Sequence, residues 1–199
     1  MSTPHISRIA ALLRAGGTAV VPAEGVYGLV ASASRPDAIA RLLQLKGREA
    51  HKPMLVLAPG WRAARDLARV IPEALEGLDR QRAAVTVLLP ANDGVPHGLA
   101  GPEGLVGVRL PADKLGRSLT SEAGLVVSTS ANLSGGPTPR TLAEVPPEIR
   151  QRVDAEIDGG RLAGVPSTVA RWADGGLVIV REGAVDRERL AALVGAGVR

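Results

Sequence analysis

Short apolar runs recur along this chain, at Thr18 to Val21, Met54 to Ala58, Ala84 to Leu89 and Val106 to Leu110, and each stops at or within two residues of a proline: Pro22, Pro59, Pro90 and Pro111. Runs this short and rich in Val and Leu, the first of them expected to end at Pro22, read as buried strands rather than helices. A fifth, Gly124 to Ser130, runs into a polar turn, and shorter strands are predicted near Val30 and at Ala155 to Ile157, Ser167 to Arg171 and Leu177 to Arg181. Helical stripes separate them. Ile6, Ile9, Ala10, Leu12 and Leu13 fit one face, stopped by Gly16-Gly17. Ser34 ahead of Pro36 opens another, carrying Ala38, Ile39, Leu42, Leu43 and Leu45. Further helices are expected over Trp61 to Val70, Pro72 to Leu78, Lys114 to Glu122, part of Thr141 to Arg152, and Asp186 to Val194. Strands and helices that alternate without strict order predict an α/β or α+β fold around a twisted mixed sheet. With no repeat and no long linker, residues 1–199 are expected to form one domain.

Composition narrows the function. Of the 24 basic side chains only Lys46, Lys52 and Lys114 are lysines, and the formal charge is +4 with a pI near 10.3. That balance permits an anionic substrate or a polyanionic partner without demanding one. Phe is absent and Tyr27 is the single tyrosine, which argues against reading single-stranded nucleic acid by stacking. No cysteine is present, and His5, His51 and His97 have no metal-ligand spacing, so no metal site is expected. The N-terminus lacks the apolar core of a signal peptide and no apolar run approaches about 18 residues, so a soluble, cytoplasmic protein is expected.

Two segments carry chemistry. Val127-Ser-Thr-Ser-Ala-Asn132-Leu-Ser134-Gly-Gly-Pro137 takes an apolar strand into hydroxyls, a carboxamide and glycines, a surface suited to oxygen-rich ligands and also a composition suited to an ordinary turn. Lys46-Gly-Arg48-Glu-Ala-His-Lys52-Pro places two of the three lysines within seven residues, in a chain that otherwise writes Arg. A lysine kept there suggests use of a compact, mobile ammonium, against the alternative of a solvated helix end. No Walker loop, no G-x-G-x-x-G fingerprint and no G-x-S-x-G elbow occurs. Hydroxyls (Ser128, Ser130, Ser134), Asn132 and cations (Lys46, Arg48, Lys52, Arg109, Arg181) at strand ends could hold a nucleotide triphosphate without them, each charge-assisted bond contributing about 1.5–3 kcal/mol.

Taken in order, Pro22-x-Glu24-x-x-Tyr27-Gly28-Leu29, Lys46-x-Arg48, Lys52-Pro53, Thr86-Val87, Val108-Arg109, Ser128-Thr-Ser130-Ala-Asn132-Leu-Ser-Gly135, Pro166-Ser167-Thr-Val169 and Val180-Arg181-Glu-Gly183 resemble the YrdC-type threonylcarbamoyl-AMP synthases, over about Ile9 to Leu193. The resemblance implies a short form without an added C-terminal domain, a twisted open sheet and a deep basic concave cavity. It implies a reaction in which L-threonine, bicarbonate or CO2, and ATP give threonylcarbamoyl-adenylate and pyrophosphate, the product then passing to a transferase that modifies tRNA. It assigns Lys46 and Arg48 to the carboxylate and phosphate oxygens, with Lys46 stabilising developing charge. Ser128, Ser130, Asn132, Ser167 and Arg181 go to the nucleotide. Glu24, Tyr27, Lys52, Thr86 and Arg109 go to the amino-acid end and cavity wall. Magnesium is expected with ATP, with no protein ligand.

The family pattern reads Pro-Thr-Glu-Thr-x-Tyr-Gly-Leu, whereas this chain has Ala23 and Gly25. Loss of two hydroxyls at the amino-acid end points to altered selectivity there rather than at the nucleotide. The alternatives are therefore a paralogue acting on another amino acid or substrate, and, from a different class, a reader of tRNA or other double-stranded RNA using the basic concavity.

Overall fold

The computed structural model describes residues 3–47, 54–96, 98–195 and 197–199. Its strands are β1 (Thr18–Ala23), β2 (Val26–Ser32), β3 (Leu55–Leu57), β4 (Val85–Pro90), β5 (Leu105–Arg109), β6 (Val126–Ser130), β7 (Ala155–Glu156), β8 (Thr168–Ala173) and β9 (Gly176–Arg181). The helices are α1 (Thr3–Arg14), α2 (Pro36–Lys46), α3 (Trp61–Ala64), α4 (Glu76–Arg80), α5 (Lys114–Ala123), α6 (Pro147–Arg150) and α7 (Arg187–Val194). All nine strands join one open mixed sheet in the order β7-β1-β2-β6-β3-β5-β4-β8-β9. The pairs β1–β7, β3–β5 and β4–β8 are parallel and the rest antiparallel.

Strand alternation sorts the buried side chains onto two faces. Val20, Leu29, Val56, Val87, Val108 and Val127 pack with α2, α3, α4 and α7 in the larger core. Their neighbours Val21, Val30, Leu57 and Val126 face the other way, onto Ile9 and Leu13 of α1 and Leu119 of α5. Two helices cannot cover nine strands. Where the second layer stops, side chains on the same face change from Val and Leu to Gly28, Thr86, Gly107, Arg109, Ser128 and Ser130, and the cavity lies there.

Several boundaries differ from the sequence reading. Pro22 does not end β1, which continues to Ala23. Tyr27, its partner, sends its N–H to Pro139 O and receives Ala131 N–H, so Pro22 and Tyr27 form a non-hydrogen-bonded pair. The nitrogen of Pro22 then points to the side where β7 has already ended, and no ladder bond is lost. The expected loop around Gly25 is a two-residue hairpin turn, with Glu24 at φ 49 and Gly25 at φ 92, the type I′ geometry that matches strand twist. Helix α2 is capped by Arg35 rather than Ser34, whose hydroxyl pairs with Ser32. The segment expected as helix from Trp61 to Val70 keeps a single turn before bending to pair Ala68 with Ala91.

Candidate functional site

A cavity of about 460 Å³ opens on the uncovered part of the α1/α5 face. Its floor is built by period-two alternation: Ser128 and Ser130 from β6, Gly107 and Arg109 from β5, and Thr86 and Leu88 from β4. Gly107 keeps the floor open, because a Cβ there would press on Met54 O at 3.3 Å and Thr86 Cγ2 at 3.4 Å. Ala23 and Glu24 of the hairpin turn form one wall, and Ser167 and Arg181 the opposite one. Thr86 and Ser167 share a hydroxyl–hydroxyl bond of 3.0 Å, and Arg181 Nη2 donates to Ser167 O at 2.8 Å.

Lys46 reaches the cavity from the C-terminal end of α2, in the other layer, where Gly47 at φ 58 closes the helix. Its Nζ donates to Ser130 O (2.7 Å), Ser130 Oγ (3.0 Å), Asn132 Oδ1 (2.9 Å) and Asn132 O (3.2 Å). Ser130 Oγ donates in turn to Asn132 Oδ1 at 2.5 Å, and Asn132 Nδ2 donates to Gly136 O at 2.6 Å. A lysine is thus needed for a reason other than the mobility expected from sequence. A point-like ammonium can sit among oxygens arriving from several directions, which a planar guanidinium fork cannot. Among its neighbours, Asn132 is not at the cavity wall. It stands behind Lys46 with both amide groups taken up by the protein.

Arg109 is as deeply buried, yet far less satisfied. Its Nε lies 3.1 Å from Glu24 Oε2, close enough for an ion pair, but neither atom has an aligned hydrogen bond. Glu24 Oε1 accepts from Ala112 N–H, which fixes the carboxylate. Burial pushes the Arg109 guanidinium down; the Glu24 and Asp113 carboxylates pull it back up, and nearby Arg181 pushes it down again. Among the described residues no hydrogen bond reaches its terminal nitrogens, and the residue lines the cavity. An anion in the cavity would supply the missing partner.

Of the residues picked from sequence, Lys46, Ser128, Ser130, Ser167, Arg181, Glu24, Thr86 and Arg109 line the cavity. Arg48, Lys52 and His51 lie outside the described residues. Tyr27 is a correction. Although expected at the cavity, it is fully buried and faces away, its hydroxyl donating to Asp158 Oδ1 (3.0 Å) and Gly160 O (2.9 Å) and accepting from Gly159 N–H (2.9 Å). A hydrogen-bonding pocket within the core is the natural place for a chain's single tyrosine. Sequence reasoning passed over Thr138 and Pro166, which also line the cavity. Thr138 sits in a Thr-Pro run that reads as turn chemistry, and nothing local marks it.

Among the described residues no group of three His, Asp or Glu side chains is placed to hold a metal ion. No described helix is long and apolar enough to cross a membrane.

A family model covering Sua5, YciO and YrdC, described as telomere recombination, matches residues 11–183. The chain is 35% identical over 198 residues to the threonylcarbamoyl-AMP synthase of Bacillus subtilis, covering 96% of this chain and 57% of that protein. It is 36% identical over 167 residues to that of Halorhodospira halophila, covering 81% and 85%. Among solved structures, Sua5 of P. abyssi complexed with L-threonine superposes with a TM-score of 0.90 at 29% identity, over 100% of this chain and 60% of that one. E. coli YciO shares the fold, with a TM-score of 0.82 at 22% identity over 95% and 94%. The chain thus spans little more than half the length of its Bacillus relative, 57%.

Proposed function

The chain belongs to the Sua5/YciO/YrdC family, and from that membership together with the cavity we propose that it forms threonylcarbamoyl-adenylate and pyrophosphate from L-threonine, bicarbonate or CO2, and ATP. The observation that carries this reading is the buried, uncapped Arg109 facing hydroxyls from β4 and β6 across a cavity sized for a small ligand. The Sua5 of P. abyssi, which superposes on this chain, was solved complexed with L-threonine.

On this reading Arg109 takes the carboxylate of the amino acid, with Glu24 holding the guanidinium in place. The threonine amine adds CO2, and a carbamate oxygen attacks the α-phosphate in line, expelling pyrophosphate. Such a displacement needs positioning and charge more than proton transfer. Lys46 supplies charge beside Ser130, exchanging one of its protein oxygens for a phosphate oxygen. Arg181 and Ser167 hold the nucleotide from the far wall, and Arg48 and Lys52 are assigned to substrate charge by the family resemblance alone. Magnesium comes with ATP as its phosphate counter-ion. The product then goes to a separate transferase that acts on tRNA, so tight RNA binding by this chain is not required, and a cytoplasmic location goes with this reading.

A second reading, another amino acid in place of threonine, is favoured by the turn. Ala23 offers no hydroxyl to the cavity, and Gly25 has no room for one. The test is pyrophosphate release from ATP and bicarbonate across a panel of amino acids, with the adenylate identified by mass. Threonine-selective release supports the first reading and release with a different amino acid the second. No release, with RNA binding that falls steeply with salt, would replace both by the RNA reader.

A further inference from the structure

Residues 157–167 join β7, at one edge of the sheet, to β8, seven strand positions away. Across a flat sheet that distance is about 33 Å. Eleven residues reach only about 36–40 Å when drawn straight. This segment is not straight: Asp158 Oδ1 accepts Gly160 N–H, and Gly160 and Gly164 have φ of 73° and 82°. The sheet must therefore curl, and the segment runs as a strap from Tyr27 past the β1–β2 turn at Gly25 to Ser167.

The strap is seated at both ends and in the middle. At its start, Tyr27 holds Asp158, Gly159 and Gly160, and Gly159 lies so close to the Pro22 ring that a Cβ would not fit. At its end, Ser167 is held by Thr86 and Arg181, and Gly183 packs without room for a Cβ against Pro166 O. In the middle, Gly164 N–H donates to Gly25 O at 2.7 Å. A Cβ on Gly25 would collide with Val165 O, and its φ of 92° already disfavours any other residue.

We infer that Gly25 is a positioning residue that seats the strap on the β1–β2 turn, and so couples the Glu24–Arg109 end of the cavity to its Ser167–Arg181 end. This rests on the reading above, in which the amino acid binds at the first end and the nucleotide at the second. A side chain at position 25 lifts the strap, and the lift reaches Ser167 through the two residues, Val165 and Pro166, that separate it from Gly164. The effect of Gly25 is thus on both substrates, whereas that of Ala23, whose Cβ faces the cavity, is on one.

The experiment compares Gly25→Thr, Gly25→Ala, Val165→Gly and Ala23→Thr with the wild type. It uses equilibrium ATP binding without amino acid, KM and kcat for each substrate, and hydrogen exchange at the Gly164 amide. Gly25→Thr is expected to weaken ATP binding and raise the amino-acid KM together, each roughly tenfold. Gly25→Ala is expected to expose the Gly164 amide to exchange, and Val165→Gly, which loosens the strap from its own side while leaving the turn intact, to weaken both substrates about threefold. Ala23→Thr should move only the amino-acid KM. Should a Gly25 variant fail to fold, Val165→Gly and the wild-type exchange pattern still decide. Unchanged ATP binding in Gly25→Thr or Val165→Gly overturns the coupling, and a Gly164 amide unprotected in the wild type overturns the seating. A wild type that protects Gly164 but makes no adenylate from any amino acid overturns the functional reading instead, and with it the substrates assigned to the two ends.

Discussion

Lys46 and Arg109 are almost equally buried, at 6% and 4% exposure, and they stand in opposite states. Lys46 faces four protein oxygens within 3.2 Å, while Arg109 faces one carboxylate at an angle that makes no hydrogen bond. The contrast separates two uses of a buried cation. One clamps the end of α2 to the loop after β6 and yields to a ligand only by exchange. The other lines the cavity with no aligned hydrogen bond to its Nε, and an anion there would give the guanidinium the partners it lacks.

The largest effect should come from breaking the Arg109 end. Arg109→Ala leaves Glu24 buried without a counter-ion, which is expected to cost about 3–5 kcal/mol of stability. The double variant Arg109→Met with Glu24→Gln should recover most of this in thermal or denaturant unfolding while remaining inactive. A double variant no more stable than the single one would show that the pair is not what burial makes costly.

Next is the Lys46 end. Lys46→Met takes the ammonium away from four oxygens of Ser130 and Asn132, leaving Ser130 Oγ and Asn132 Oδ1 only each other, and a loss of about 2–3 kcal/mol together with a fall in adenylate formation is expected. Lys46→Arg should not rescue either quantity, because the fork cannot reproduce the four-oxygen geometry. Full rescue by arginine would mean that charge alone matters there.

Tyr27→Phe should be smaller and purely structural: about 1 kcal/mol of stability, with substrate KM values within about twofold of wild type. A selective rise in the amino-acid KM would return Tyr27 to the site from which the structure removes it.

The smallest effect is that of pH on the strap. The Gly160 N–H and then the Tyr27 hydroxyl hold the Asp158 carboxyl below its ordinary range. Since the folded value is depressed, this contribution is present above the unfolded pKa of about 4 and is lost as pH falls through the lower folded value. Protection of the 159–160 amides, taken relative to their intrinsic exchange rate at each pH, should therefore fall only below about pH 4, and a fall that begins near neutrality would assign the change to another group.

Much of the architecture is legible in the residues. The short apolar runs mark β1, β3, β4 and β5, and the apolar stripe behind Pro36 marks α2, because local sterics and a period of two or 3.6 act within a few residues. The hydroxyls at Ser128 and Ser130 and the lysine kept at position 46 are also candidates from sequence, and they line the cavity. What could not be read is which side chain answers which. Tyr27 and Asn132 lie in motifs full of site residues and turn inward, because their partners at Asp158 and Lys46 are far along the chain. Thr138 and Pro166 reach the cavity only because the loops carrying them fold over it.

The sequence by itself determined the strands, their faces and the stock of hydroxyls and cations, since these follow from backbone sterics and side-chain spacing. Only the tertiary structure decided that one cation is satisfied and the other is not, and that the segment leaving the edge strand β7 bonds a glycine of the β1–β2 hairpin turn through Gly164. Those properties depend on distances between segments more than eighty residues apart, and no local pattern encodes them.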